Sequence, residues 1–291
     1  MTPSSVRPMG NPVDDLVEVL ELEQLEVNLF RGVTPQTARE RIFGGQVLAQ
    51  ALMAAGHTVP DDHPIHSMHA YFLRPGDPRV PIVFEVDRIR DGRSFVTRRI
   101  VAIQKGEAIF NAEASFHVAE DGPDHADTAP EVPSPESVAE TPPSPWSETG
   151  NPAHASPWAG ERPIDLRFPG GDPWSIEGPQ PPDRDVWMRA DGALPDDPLV
   201  HVAVAAYASD LALLSTSTMP HTPAGSRPFM LASLDHVMWF HREFRADEWL
   251  LFHLHSPSAG GARGFAHGAV FRPDGRLAMS IAQEGLVRPM R

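Results

Sequence analysis

Apolar and polar positions along this chain follow two rhythms, and the pair of rhythms occurs twice. In the first half a run almost wholly apolar, Gly45-Gln-Val-Leu-Ala-Gln-Ala-Leu-Met-Ala-Ala-Gly-His57, is too long for a strand and predicts a helix. Shorter runs follow: Ser67 to Arg74, Ile82 to Arg88, Asp91 to Ile100 and Lys105 to Phe116, which read as strands. The second half repeats the order, with a helical run from His201 to Leu214, then Ser233 to His241, Glu248 to His255, Gly260 to Val270 and Asp274 to Gly285. Each half is expected to form one long helix followed by about four strands.

The pairs Lys105-Gly106 and Asp274-Gly275 interrupt strand-like runs where glycine can take the positive φ of a tight turn, so they predict hairpins and hence antiparallel sheet. A helix with so little charge must be buried almost all round, against the face of that sheet. The predicted fold class is α+β, a double hotdog: two tandem repeats of a long helix packed on a curved antiparallel sheet. Joining the sheets edge to edge would leave neither with a long open edge. Between about Glu120 and Pro182 the rhythm lapses, and roughly half of the 32 prolines fall there. This stretch reads as a surface connector, ordered where Trp146, Trp158, Ile164, Leu166, Phe168 and Trp174 can dock. The expected division is 15–120, 121–182 and 183–291.

Composition narrows the function. A formal charge of −15 makes nucleic acid an unfavourable partner. With no cysteine there is no disulfide, no thiolate nucleophile and no Cys-ligated metal. The longest apolar stretch, around Leu199 to Leu214, is interrupted by His201 and Asp210, so no membrane span is expected. Nor does the N-terminus, Met1 to Asp14, show the apolar core of a secretory signal, which points to a cytoplasmic protein. Against the acidic background Arg88, Arg90, Arg93, Arg98, Arg99 and Lys105 cluster, and could rim a phosphate site or simply form a solvated strand face.

Two residues stand out as chemistry. Asp210 has Ala206, Tyr207, Leu213 and Leu214 as its helical neighbours, so no cation on its own helix faces a carboxylate set in apolar surroundings. A structural carboxylate bonded to backbone or to a distant arginine is the competing reading. Gln283 falls on the bulky face of its strand with Leu277, Met279 and Ile281, where a buried amide must find partners; a water shared with Asp210 is one, backbone alone another. Aligning the halves on their turns sets Gln283 opposite Ala114, and Leu52, Met53 and Ala54 around the place of Asp210. Only the second half keeps the polar set. His66, His69, His236 and His241 read mainly as packing and interface residues, since Asp235 and His236, adjacent on a strand, point to opposite faces. Their spacing suggests no metal site. The run Phe43-Gly-Gly-Gln46 is too short for a nucleotide fingerprint and fits a close helix approach or a helix start.

Several words of the sequence occur together and in order: Leu29-Phe-Arg-Gly32, Phe43-Gly-Gly-Gln-Val47, Tyr71-Phe-Leu-Arg-Pro-Gly-Asp77, Tyr207-Ala-Ser-Asp-Leu211, Asp235-His236, Met238-Trp-Phe-His241, Ala262-Arg-Gly-Phe265 and Gln283-Glu-Gly285. In these the chain, from about Leu20 to Arg288, resembles the acyl-CoA thioesterase II family of double-hotdog enzymes. The resemblance implies hydrolysis of medium- to long-chain fatty acyl-CoA without metal or cofactor. It also implies a catalytic set of Asp210, Ser233 and Gln283, with serine where the family more often has threonine. On that reading Asp210 takes a proton from a water that Ser233 and Gln283 also hold, and N–H groups at a helix start receive the oxyanion. Two alternatives are a hotdog enoyl-CoA hydratase, which would need a His five residues after the Asp where this chain has Ser215, and a non-catalytic acyl-CoA binding protein. A homo-oligomer is the expected assembly.

Overall fold

The structure is a computed structural model that describes residues 11–34, 41–142, 162–172, 175, 178–222 and 229–290. Trp146, Trp158 and Trp174, expected to dock the connector, lie outside the described residues. Ile164 and Leu166 are buried, and Phe168 packs on the core.

Each half is built on the same plan. The first comprises α1 (Pro12–Leu20), β1 (Glu23–Glu26), β2 (Leu29–Gly32), α2 (Gly44–Gly56), β3 (Ile65–Phe72), β4 (Ile82–Asp91), β5 (Phe95–Gln104) and β6 (Glu107–His117). After the connector come β7 (Ile164–Arg167), β8 (Asp183–Ala190), α3 (Pro198–Ser209), α4 (Leu213–Thr216), β9 (Phe229–Ser233), β10 (Asp235–Phe240), β11 (Leu250–Gly260), β12 (Arg263–Phe271) and β13 (Leu277–Pro289). The strands join in one sheet of order β1-β2-β4-β5-β6-β3-β10-β13-β12-β11-β8-β7, with β9 paired to the end of β13. A strand preceding each helix, β2 and β8, adds to the far side of the four that follow it, which the hydrophobic pattern did not reveal. The halves meet where β3 runs antiparallel to β10, with Met68 opposite Met238, so their sheets are joined edge to edge.

The Lys105-Gly106 turn has φ of 51° and 79°, and Gly275 has φ of 79°, the left-handed backbone a hairpin of this kind requires. Both helices lie on one face of the sheet and pack on each other. A Cβ on Gly56, at the end of α2, would stand 2.4 Å from Leu199 near the start of α3, while one on Gly45 would stand 2.5 Å from the Tyr207 carbonyl. The helices are therefore antiparallel, and the beginning of each meets the end of the other. Eleven of the thirteen residues of α2 are buried, because it has sheet on one side and α3 on another.

Two expectations need correction. The second helix does not run unbroken to Leu214: α3 ends at Ser209, Asp210 is its C-cap, and the chain resumes as α4. Ser209 turns its hydroxyl back onto the Ala206 carbonyl, which competes with the helix ladder at this end. The position matching Asp210 in the first half is accordingly His57, the C-cap of α2, and not Leu52 to Ala54. Second, the Pro-rich stretch is not connector throughout: it contains β7, which pairs with β8 and becomes that edge of the sheet. The segment Pro198–His221 is long and apolar enough to cross a membrane by composition, but most of it is buried inside the protein.

Candidate active site

The break after α3 turns Asp210 away from its own helix and toward the start of α2. There the Gly45 N–H donates to Asp210 Oδ2 at 2.9 Å. The unpaired N–H groups and partial positive charge at a helix start favour a carboxylate. The approach is close enough to depend on glycine: a Cβ on Gly44 would fall 2.7 Å from Asp210 Oδ2 and 3.1 Å from the Phe72 ring. Thus the first half supplies the cradle for a carboxylate carried by the second.

The other carboxylate oxygen faces the sheet. Gln283, fully buried on β13 as strand alternation predicts, donates its amide to Asp210 Oδ1 at 2.8 Å and to Ser233 Oγ at 2.9 Å. Ser233 closes β9 and donates to Asp210 Oδ1 at 3.3 Å. The three residues singled out in the sequence come together, and they touch one another directly, whereas the sequence suggested a water between them. The Asp210 side chain is only 6% exposed. Phe43 and Tyr207 stack edge-on, 4.9 Å between ring centres, beside the start of α2, and Leu214 lies over Gly285, where a Cβ would be 2.3 Å from it. A carboxylate held in position, a hydroxyl and an amide, set among apolar side chains, suit proton removal from a water attacking a carbonyl carbon.

His236 belongs to this cluster too. It is fully buried on β10, its Nε2 lies 2.9 Å from Ser209 Oγ, and its Nδ1 lies 3.9 Å from Asp210 Oδ1. Burial pushes its pKa down to about 3, so the ring is neutral near pH 7. Alternation on the strand correctly separates it from Asp235, whose carboxylate accepts from the Glu284 N–H at 2.6 Å. What the sequence could not show is that the opposite face of β10 looks onto the end of α3. His66 and His241 each set Nε2 against a strand serine, Ser115 at 2.8 Å and Ser280 at 2.9 Å.

The corresponding place in the first half is closed. Ala114 pairs across the ladder with Arg98, whereas Gln283 pairs with Ala266. Arg98 is fully buried and occupies the end of α2, with Nε on Thr58 Oγ1 at 2.8 Å, Nη2 on the Thr58 carbonyl at 2.9 Å and on Asp91 Oδ1 at 2.5 Å. This removes Arg98 from the basic rim that the sequence offered. It sits at the far end of α2 from Gly45, about 20 Å away at 1.5 Å per residue. Arg99 lies 3.5 Å from Glu113, Lys105 pairs with Asp77 at 2.8 Å and Arg88 with Asn28 at 2.9 Å. Among the described residues, no group of three or more His, Asp or Glu is placed to hold a metal ion.

The paired helices on a continuous antiparallel sheet define the double-hotdog class, and similarity to known proteins narrows it. An acyl-CoA thioesterase family matches residues 174–286, and an acyl-CoA thioesterase N-terminal domain family matches residues 33–117. Human acyl-coenzyme A thioesterase 8 is 41% identical, over 96% of this chain and 92% of its own. Acyl-CoA thioesterase 2 of Haemophilus influenzae is 36% identical, over 96% and 99%. The crystal structure of the acyl-CoA thioesterase II TesB2 of Mycobacterium marinum, 42% identical, superposes with a TM-score of 0.77 over 95% of this chain and 98% of its own. The chain belongs to the acyl-CoA thioesterase family and is a thioester hydrolase.

Proposed function

We propose that this enzyme hydrolyses medium- to long-chain fatty acyl-CoA by direct attack of water, with Asp210 as general base and Ser233 and Gln283 as the groups that orient it. The observation that carries the reading is the convergence on one carboxylate of the Gln283 amide at 2.8 Å, the Ser233 hydroxyl at 3.3 Å and the Gly45 N–H at 2.9 Å. The water enters between Asp210 Oδ1 and Ser233 Oγ, where the direct contact is longest. Its oxygen bonds to the thioester carbon, its proton passes to Asp210, and collapse of the tetrahedral intermediate breaks the C–S bond as the proton is returned to sulfur. Gln283 spends its amide hydrogens on Asp210 and Ser233, which keeps the lone pairs of Asp210 aimed at the entry point. The apolar side chains of Phe43, Phe72, Tyr207 and Leu214 suit an acyl tail.

The hydratase alternative has no second base where it needs one. Ser215 stands five residues after Asp210, donating to the Ala212 carbonyl and accepting from Arg184 at 2.9 Å. Colorimetric detection of free thiol from a series of saturated acyl-CoA substrates tests the proposal. Turnover that is maximal at medium or long chains and collapses in Asp210→Asn supports it; tight acyl-CoA binding without thiol release would replace it with the binding-protein reading.

A further inference from the structure

His236 is a buried titratable group that water attack, as proposed above, does not use. Its two ring nitrogens have different surroundings. The Ser209 hydroxyl donates to the Ala206 carbonyl at 2.8 Å, so its oxygen is left to accept from His236 Nε2–H at 2.9 Å. That fixes the tautomer, with the proton on Nε2 and a bare lone pair on Nδ1. Nδ1 is shut off from solvent, has no hydrogen-bond donor among the described residues, and faces Asp210 Oδ1 from 3.9 Å. A buried acceptor without a donor is costly, and where one persists it asks for a role.

The role follows from the two protonation states of Asp210. As a carboxylate it accepts from Gly45, Gln283 and Ser233. Once it has taken the water's proton it carries an O–H that needs an acceptor. We propose that His236 is a positioning residue for Asp210: its neutral Nδ1 accepts the hydrogen bond of protonated Asp210 and so holds the transferred proton until it passes to the leaving sulfur. Closing 3.9 Å to hydrogen-bond distance takes a shift of about 1 Å. The imidazole itself stays neutral throughout, because its burial makes it too weak a base to keep the proton. The proton balance is unchanged: water to Asp210, then Asp210 to thiolate. Among neighbouring charged groups, Asp235 and Glu284 alternate onto the other face of the sheet, where Glu284 pairs with Arg263 at 3.0 Å. The first half bears on this by contrast, because Met68, opposite Ala114 on the ladder, fills the position of His236 where there is no carboxylate to serve.

The inference rests on the proposed role of Asp210, and three substitutions separate it from a packing role. Asn places an acceptor near the position of Nδ1, Gln reaches instead toward that of Nε2 and Ser209, and Met copies the first half. The expected result is that His236→Asn keeps kcat within about 3-fold, while His236→Gln and His236→Met lose about 10-fold or more with KM little changed. In the latter two the acidic limb of the kcat/KM profile should also move to lower pH, since the protonated carboxyl has lost its acceptor. Thermal melting of each variant shows whether it is folded, and the Asn and Gln comparison stands even if Met does not fold. His236→Gln as active as His236→Asn, or an unmoved acidic limb in His236→Gln, would overturn the inference. Full activity of Asp210→Asn would instead overturn the general-base reading itself.

Discussion

Replacing Asp210 by asparagine separates chemistry from architecture at this site, because the shape is kept and only the proton-accepting oxygen changes. The wild-type carboxylate faces donors on both sides, Gly45 N–H on Oδ2 and Gln283 with Ser233 on Oδ1. The substituted amide can keep its carbonyl toward Gly45 and present its NH2 to Gln283, provided Gln283 turns over to offer its Oε1, which has no partner among the described residues. The rearrangement loses roughly one hydrogen bond, about 1 kcal/mol. General base catalysis, by contrast, is worth about 10²- to 10⁴-fold, or roughly 3 to 5 kcal/mol on the barrier. The kinetic effect should therefore exceed the stability effect by about 2 kcal/mol or more. Free-thiol release gives kcat and KM, denaturant unfolding gives the stability change, and intact mass excludes deamidation of the introduced asparagine back to aspartate. A folded Asp210→Asn variant with kcat within a few-fold of wild type would refute the argument.

Ser233→Thr should retain most activity and Ser233→Ala should weaken catalysis without abolishing it, because a hydroxyl that orients water can sit on either scaffold. Mass spectrometry of enzyme quenched during turnover should find no acyl adduct on Ser233; an adduct, with a burst of thiol equal to the enzyme present, would make Asp210 the activator of a serine nucleophile. Gly44→Ala puts a methyl 2.7 Å from Asp210 Oδ2, so kcat should fall about 10-fold or more in a protein that still melts cooperatively. Ala114→Gln should create no second site, and crowding Arg98 should cost about 1 to 3 kcal/mol on unfolding; thiol release from an Ala114→Gln, Asp210→Asn double variant well above that of Asp210→Asn alone would contradict the single-site reading. Because His236 has its pKa lowered to about 3 from an ordinary 6.5, the unfolded chain binds a proton there first. The stability associated with its neutral burial is present above about pH 6.5 and is lost as pH falls toward 3, with a slope approaching about 1.4 kcal/mol per pH unit. His236→Met should flatten that part of a stability profile, and an identical acid dependence in wild type and variant would count against it.

Much of the sheet and half of the site could be read from local pattern, for reasons specific to each residue. The repeat was legible because a sheet buried on one face imposes period two and a helix enclosed by sheet and helix loses nearly all charge, and both constraints act within a short window. Asp210 was conspicuous because it interrupts an apolar run, and Gln283 because its strand otherwise presents large aliphatics on that face. Ser233 had no such mark; a serine before a strand is ordinary, and only the family resemblance drew attention to it. Gly45 and His236 could not be assigned, since their partners lie 165 and 26 or 27 residues away and depend on how α3 ends. The clustered arginines stayed ambiguous for the opposite reason. Sequence proximity said nothing about Arg98 turning inward onto Thr58 while Arg99, its neighbour, faced out to Glu113.

The pairing of Arg98 with Ala114, where the second half has Ala266 with Gln283, has a genetic consequence. In a dimer of two identical single-hotdog chains, every substitution appears in both copies, so neither symmetry-related position could exchange an alanine for an arginine without the other doing so. Covalent fusion removes that coupling. One copy is free to accumulate changes that favour rigidity, such as an arginine fastened to the end of its helix, while the other keeps a small residue beside Gln283 and the polar groups to which we assign turnover. The first copy is still under selection through Gly44 and Gly45, because its helix start faces the carboxylate of its twin. Random mutagenesis under selection for activity should therefore tolerate change poorly at these two glycines and broadly elsewhere on the first half's surface, although our proposal places the reacting groups on the second half.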